Sequence, residues 1–242
     1  IMDAKIDRRY LLTITQLISP FIAMWALIQY ATFLWILVSL LMFFLMRVIG
    51  GSITYHRIHN HRTHTMHPIM EFICTALGFY GSLASPLEFC VSHDNHHAHH
   101  DTDKDPHPYH LKGWKILFPI LWNYDIGRAN FRTIVRLTRN KITNFFHEKY
   151  WVLLLLPFLL LLVSIPTYLF VYFVPLTLSI WSTGIASLNH DMNGPKDMGF
   201  WYGIISGGEH MHKQHHERLF DTSKEGWINT ITDIIATKKV KI

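Results

Sequence analysis

Residues 11–46 and 151–190 of this chain contain no Asp, Glu, Lys or Arg. A soluble fold has to cover such stretches, whereas a bilayer accepts them. Each is about the length of two membrane-crossing helices of roughly 20 residues. Each also carries a reversal near its middle, Gln29-Tyr30-Ala31-Thr32 in the first and Ser164-Ile165-Pro166-Thr167 in the second. Only segments that satisfy their own backbone polar groups cross lipid. The expectation is therefore an all-α integral membrane protein with four transmembrane helices arranged as two hairpins, 11–48 and 151–190. Only 16% of the residues are charged, against roughly 25% in a soluble domain. The length suits a single domain, 1–242.

The charges then fall on one side of the bilayer. Arg8, Arg9 and Arg47 flank the first hairpin, Arg57 through Lys149 lie between the hairpins, and Lys196 through Lys241 follow the second. The two reversals carry no charge. By the positive-inside rule this side is the cytoplasm. A cytosolic cap is expected from residues 50–150 and 191–242. Cys74 and Cys90 form no CxxC pair and sit among apolar residues, so they read as core residues of a reducing compartment. No cleavable signal peptide is recognised, and the start at Ile1-Met2 leaves the true N-terminus open. No nucleic-acid partner is expected.

Residues 69–91 are apolar but hold Glu71, Glu88 and Pro86, with only 16 uncharged residues between the two glutamates. That is short for a crossing. The segment is expected to lie against the membrane or inside the cap. Ile126, Phe131, Ile134 and Leu137 recur at helical spacing, as do Arg128, Arg132, Arg136 and Arg139. The arginine row reads as a solvated helix face at the lipid headgroups, or else as a docking surface for an acidic protein or phosphate-bearing substrate. Gly50-Gly51 is expected to end the second span, just ahead of the first histidine cluster.

The chain has 18 histidines, too many and too regularly clustered for a tag or a surface tract. His93, His96 and His97 stand at i, i+3 and i+4, which project from one face of a helix. His212, His215 and His216 repeat the spacing. Three imidazoles so placed can converge on a metal. His56 and His61 are five apart, so on an α-helix they diverge by roughly 140°; such a pair reaches two neighbouring ions more easily than one. The set points to a dinuclear centre. Imidazole suits Zn, Cu, Fe and Ni, and structural zinc sites usually include cysteines. A pair of redox irons beside the lipid could activate dioxygen for an acyl chain.

Three motifs carry a more specific resemblance. They are Y-H-R-I-H-N-H-R-T-H at 55–64, P-L-E-F-C-V-S-H-D-N-H-H at 86–97 followed by D-T-D-K-D-P-H at 101–107, and G-E-H-M-H-K-Q-H-H at 208–216. They resemble the three histidine boxes of the membrane fatty-acid desaturases, most closely the Δ9 acyl desaturase branch. The resemblance covers most of residues 50–239. It implies a cytosolic di-iron centre, dioxygen as oxidant, and insertion of a cis double bond, Δ9-type, into a saturated acyl chain.

Two registers of box two fit H-x-x-H-H. The family's fixed distance to D-x-D-P-H favours His93, His96 and His97 over His96, His99 and His100. The resemblance thus implies nine metal ligands: His56, His61, His93, His96, His97, His190, His212, His215 and His216. His190 aligns with a ligand that the family places after its fourth span in an N-S-x-x-H pattern. Here Ala186 replaces the pattern's asparagine, and Asn189 is the candidate to compensate. His59, His64, His67, His107, His110, His147 and His210 match no ligand position. Glu209, Asp101, Asp103 and Asp105 are candidates to hold ligand imidazoles through their second N–H, with solvated or helix-capping roles as the alternative. No separate catalytic acid or base is expected, because the metals carry the chemistry.

The substrate would be an acyl-CoA or an acyl-lipid. Val91-Ser92 stands where animal acyl-CoA enzymes have an Arg-Asp pair, so CoA recognition does not transfer. The sequence has no H-P-G-G haem-binding stretch, so electrons would come from an external ferredoxin or cytochrome b5. Alternatives are a hydroxylase or ketolase on the same scaffold, which lacks the D-x-D-P-H continuation, and a metal transporter. A transporter would place polar ligands inside the spans, and these spans hold almost none.

Overall fold

The computed structural model describes residues 8–100, 102–106, 115, 117, 130–191, 194–218 and 226–238. Asp101, His107, His110, Ile126 and Arg128 lie outside the described residues. The described chain is mostly helical.

Helix α1 is Arg8–Tyr30. The chain breaks at Ala31-Thr32, where Thr32 Oγ1 accepts from the Trp35 amide at 3.3 Å and starts α2, Phe33–Asn60. Both α1 and the first half of α2 turn large apolar side chains outward, among them Phe21, Ile28, Phe33 and Leu34. That is the outside-apolar pattern of a surface facing lipid rather than water.

Helix α2 is longer than a crossing requires. Its 28 residues would extend about 42 Å as an α-helix, against roughly 30 Å of hydrocarbon. From Leu45 to Asn60 it widens into a π-helix. Gly50 and Gly51 do not break the helix; they lie within it. Gly50 packs on the backbone of Gly78, where an added Cβ would sit 2.1 Å from the Gly78 nitrogen. The missing side chain lets two helices approach closely.

The partner in that approach is α3, Pro68–Ser82. Leu83 then takes a left-handed conformation, φ 53°, and α4 runs over Pro86–His99. Its start carries a reciprocal cap, in which the Glu88 amide donates to Ser85 Oγ and the Ser85 amide to the Glu88 carboxylate, an arrangement that satisfies two orphan donors. Neither α3 nor α4 is a candidate crossing, as the two glutamates suggested.

Helices α5, Phe131–Arg139, and α6, Lys141–Glu148, pack beneath them. Arg132 and Arg139 are exposed, but Arg136 turns inward and its guanidinium donates to the His59 carbonyl. The arginine row is therefore not a uniform solvated face. Helix α7, Tyr150–Leu162, meets α6 at 70°. It changes to 3₁₀ winding at Leu156–Leu162, next to Pro157, which has no N–H to give to a preceding turn. Ser164 caps the next start, accepting from the Thr167 amide at 3.1 Å, and α8 continues over Ile165–Asn189. Three described helices are long and apolar enough to cross a membrane, or four if the bent α6–α7 pair forms one span.

The remaining elements are short. They are α9, Phe200–Ser206, α10, His212–Glu217, and α11, Trp227–Ile235. Strand β1, His64–Thr65, pairs antiparallel with β4, Thr237–Lys238, and β2, His190–Asp191, pairs with β3, Gly194–Pro195. The first pairing returns the tail to the loop after α2. Val48, Ile49, Ile53, Ile58, Cys74 and Ile228 form a core that joins α2, α3 and α11. Met46, Leu83, Tyr172, Leu176 and Ile180 continue it into α8. Cys74 and Cys90 are buried and unpaired with each other.

Candidate metal centre

The ends of α2, α4 and α8, together with α10, bring nine imidazoles into two adjacent groups. The first group is His56, His61, His93, His97 and His215; the second is His96, His190, His212 and His216. Within each group the ligand atoms all lie within 4.8 Å of one another. These are the nine histidines that the resemblance implies as ligands, and His99 and His100 belong to neither group.

His56 and His61 share the first group because of the π-helix. The His61 amide donates to the His56 carbonyl at 3.0 Å, an i→i+5 bond. Thr54 Oγ1 and the Arg57 guanidinium reach back five residues in the same way, to Ile49 and Ser52 carbonyls. This wider winding nearly superposes residues five apart, and the two ring centroids stand 4.7 Å apart. The divergence expected of an α-helix does not arise.

The two triplets also do something the spacing did not predict. Neither converges on one group. On α4, His93 and His97 face the first group and His96 the second; on α10, His212 and His216 face the second and His215 the first. At 100° per residue, i and i+4 lie about 40° apart, while i+3 lies about 60° to the other side. Each helix thus serves both groups, two rings to one and one ring to the other.

The Nε2 atoms face one another at about one coordination-edge length. The separations are 2.9 Å for His56–His215, 3.1 Å for His61–His93 and 2.9 Å for His93–His97. In the second group they are 2.8 Å for His190–His212, 3.2 Å for His96–His216 and 3.1 Å for His212–His216. Two neighbouring nitrogens, each about 2.1 Å from one ion, stand roughly 3 Å apart at a right angle. Hydrogen bonding among the rings is a poor substitute. His93 Nε2 faces both His61 and His97, and His97 Nε2 faces both His93 and His215. A neutral ring nitrogen offers one proton or one lone pair, so it cannot serve two such neighbours at once. Lone pairs converging on a cation resolve the arrangement, and the all-imidazole donor set fits iron, copper, nickel or zinc.

Burial favours the neutral, metal-ready form. It pushes the His61, His93, His97 and His216 imidazoles well below their ordinary value, and neighbouring imidazoles add to the effect. Three other imidazoles of the two groups, His56, His96 and His212, have a carboxylate beside the Nδ1 nitrogen. His96 Nδ1 lies 2.9 Å from Asp105 Oδ1. Glu209 reaches both groups, with Oε1 3.4 Å from His56 Nδ1 and Oε2 3.4 Å from His212 Nδ1. Burial alone would raise the Glu209 carboxyl, but His56 and His212 outweigh it and hold it well below the usual range. Asp103 lies exposed in the loop before Asp105.

The turn that carries Glu209 is tightly held. Gly207 and Gly208 have φ of 74° and 104°, which glycine adopts without a Cβ penalty. Arg47 is buried, and its guanidinium donates to the Ser206 carbonyl at 2.7 Å and to Ser182 Oγ at 3.1 Å. It is an anchor of this turn, a role its position at the hairpin edge did not suggest. Asn189 Nδ2 donates to the Glu209 carbonyl, and Asn189 Oδ1 accepts from the Tyr202 hydroxyl at 2.7 Å. Asn189 thus steadies the turn through both ends of its amide. The six-residue helix α10 is fastened by Asp197, whose Oδ1 accepts from the Lys213 amide at 3.0 Å.

The other histidines have separate work. His59 Nε2 lies 2.9 Å from Thr75 Oγ1, His64 Nε2 lies 2.9 Å from Asp233 Oδ1, and His147 Nδ1 lies 3.0 Å from Ser85 Oγ. His67 caps α3, and His210 stacks on Trp227. These contacts bind the ends of the helices to one another.

No protein-family model matches the chain. Among curated proteins it is 27% identical over 222 residues to the sn-2 palmitoyl-lipid 9-desaturase of Nostoc sp. (strain 36), covering 83% of this chain and 73% of that protein. It is 23% identical over 190 residues to the sn-1 stearoyl-lipid 9-desaturase of Anabaena variabilis, covering 74% and 70%. It is also 23% identical over 191 residues to Delta-9 acyl-lipid desaturase 1 of Arabidopsis thaliana, covering 69% and 59%. Sequence motifs and relatives agree that the chain is a distant relative of the Δ9 acyl-lipid desaturases.

Proposed function

We propose that the protein is a membrane acyl desaturase that places a cis double bond, Δ9-type, in a saturated acyl chain with dioxygen as oxidant. The observation that carries the reading is the gathering of nine imidazoles from four separate stretches into two adjacent groups. The names of the relatives support an acyl-lipid as substrate. In this reading each group holds one iron, through His56, His61, His93, His97 and His215 on one side and His96, His190, His212 and His216 on the other.

Bound iron would supply the oxidising power that removal of hydrogen from an unactivated methylene demands, which no side-chain acid or base provides. The chain's own residues do the positioning. Asp105 holds His96 through Nδ1, which keeps the Nε2 lone pair turned into the site. Burial keeps the imidazoles neutral and the reacting region dry. Dioxygen takes up four electrons on its way to two waters. The new double bond accounts for two, and an external ferredoxin or cytochrome b5 would deliver the other two.

The whole of 1–242 acts as one membrane domain, with four spans in two hairpins and both iron groups in a cap on the cytoplasmic face. The distribution of Lys and Arg supports that orientation. The test is expression in a desaturase-deficient host with fatty-acid profiling by mass spectrometry. A new cis-unsaturated acyl chain in the lipids is expected, and it should disappear with His93→Ala. An unchanged profile, or hydroxylated or keto products alone, would overturn the reading.

A further inference from the structure

We propose that Glu209 is a positioning residue that ties the two imidazole groups into one metal-loading unit. The inference rests on the two-ion reading above. Its ground is the placement of one carboxylate across both groups, Oε1 on His56 and Oε2 on His212, each at 3.4 Å. Among the described residues, Asp105 lies against His96 of the second group.

Two physical effects follow from that placement. The first is charge. The eighteen ring nitrogens of the nine histidines bring no negative charge, so two divalent cations in neighbouring groups repel each other. A carboxylate set against both groups lowers the energy of each ion and offsets part of that repulsion. The second is order. An imidazole that gives its Nδ1 proton to a carboxylate presents its Nε2 lone pair to a metal. The first ion to bind, on either side, fixes Glu209 against its own histidine. The other carboxylate oxygen is then already in place for the second group, so the second ion meets a smaller ordering cost.

The turn is built for such a role. The Glu209 carbonyl is held by Asn189 and the preceding Ser206 carbonyl by Arg47. Ser52 Oγ stands 3.3 Å from Glu209 Oε1. These anchors come from α2 and α8, so the carboxylate is located by the scaffold and not by the metals alone.

Glu209→Gln separates shape from charge. Glutamine keeps one oxygen, so it can accept from His56 or from His212 but not from both. Its amide N–H₂ faces the other imidazole and selects the tautomer whose Nε2 is protonated, closing that ring to metal.

The experiment is native mass spectrometry of the intact, metal-free protein in detergent, titrated with Co(II) as the only metal. The wild-type chain is expected to pass from empty to two ions with few singly loaded molecules. Glu209→Gln should be dominated by singly loaded molecules at the Co(II) level that fills the wild type, with the second ion bound about 10–100-fold more weakly. A wild-type chain that fills its two sites independently overturns the coupling while leaving the two-ion reading intact, and it does so without any variant. A Glu209→Gln chain that loads as the wild type does overturns the role of Glu209. A wild-type chain that takes up one ion or none overturns the two-ion reading, and the coupling with it.

Discussion

His56 and His61 stand five residues apart, yet their ring centroids are 4.7 Å apart and both face the same five-histidine group. The i→i+5 bond from the His61 amide to the His56 carbonyl makes this possible. Forcing α-helical winding on this segment should therefore split the pair. Deleting Ile53, one residue of the wide helix, is predicted to lower metal content from two ions to one, with loss of desaturation. Metal analysis of the purified variant reads the outcome.

Gly50 has no room for a side chain, because its Cβ would meet the Gly78 backbone at 2.1 Å. Gly50→Ala forces α2 and α3 apart, and over-packing of this kind costs roughly 1–3 kcal/mol or more. A lower Tm in detergent is expected, with partial loss of metal because α2 carries His56. Gly199→Ala, at a glycine with open space around it, should leave stability within about 0.5 kcal/mol of wild type.

Asp105 lies against His96 Nδ1 at 2.9 Å. Asp105→Ala should weaken metal binding in the four-histidine group about 10–100-fold and leave the five-histidine group loaded. Stoichiometry near one ion per chain is the expected result at limiting metal. Loss of both ions would show that the groups do not divide as described.

The metal-free protein should be acid-sensitive. His61, His93, His97 and His216 are held neutral by burial, with values depressed in the folded chain. The unfolded chain takes up protons near pH 6.5, where the folded one does not. Stability is therefore fully present above about pH 6.5 and falls as pH drops below it. Thermal unfolding of the metal-free protein at pH 7.5 and pH 5.5 should show a clearly lower Tm at the acid pH. A Tm unchanged between the two would contradict the burial of neutral imidazoles.

Much of this arrangement could be read from residue types and spacing. The charge-free stretches marked the apolar helices, and Thr32 and Ser164 begin new helices where the reversals were expected. What spacing could not reveal was hydrogen-bond register. Nothing in the residue types of 45–60 distinguishes π from α winding, so the reach of His61 was misjudged. The turn of about 100° per residue sets i+3 apart from i and i+4, but that a second group of imidazoles waits on that side of α4 and α10 is tertiary. Arg47 looked like a membrane-edge cation because its partners, Ser182 and Ser206, lie more than a hundred residues away. Gly50 looked like a helix end because a glycine pair signals a break as readily as a close approach. The partners of Asn189 were not legible either, since Tyr202 and the Glu209 carbonyl reach it only in the folded chain.

The most direct test of the central claim is iron analysis with Mössbauer spectroscopy on the intact protein, loaded with Fe(II) without air. Two irons per chain are predicted, in two distinguishable environments of five and four imidazoles, and His93→Ala and His190→Ala should each perturb a different one. One iron per chain, or a single environment that both substitutions alter alike, would contradict it.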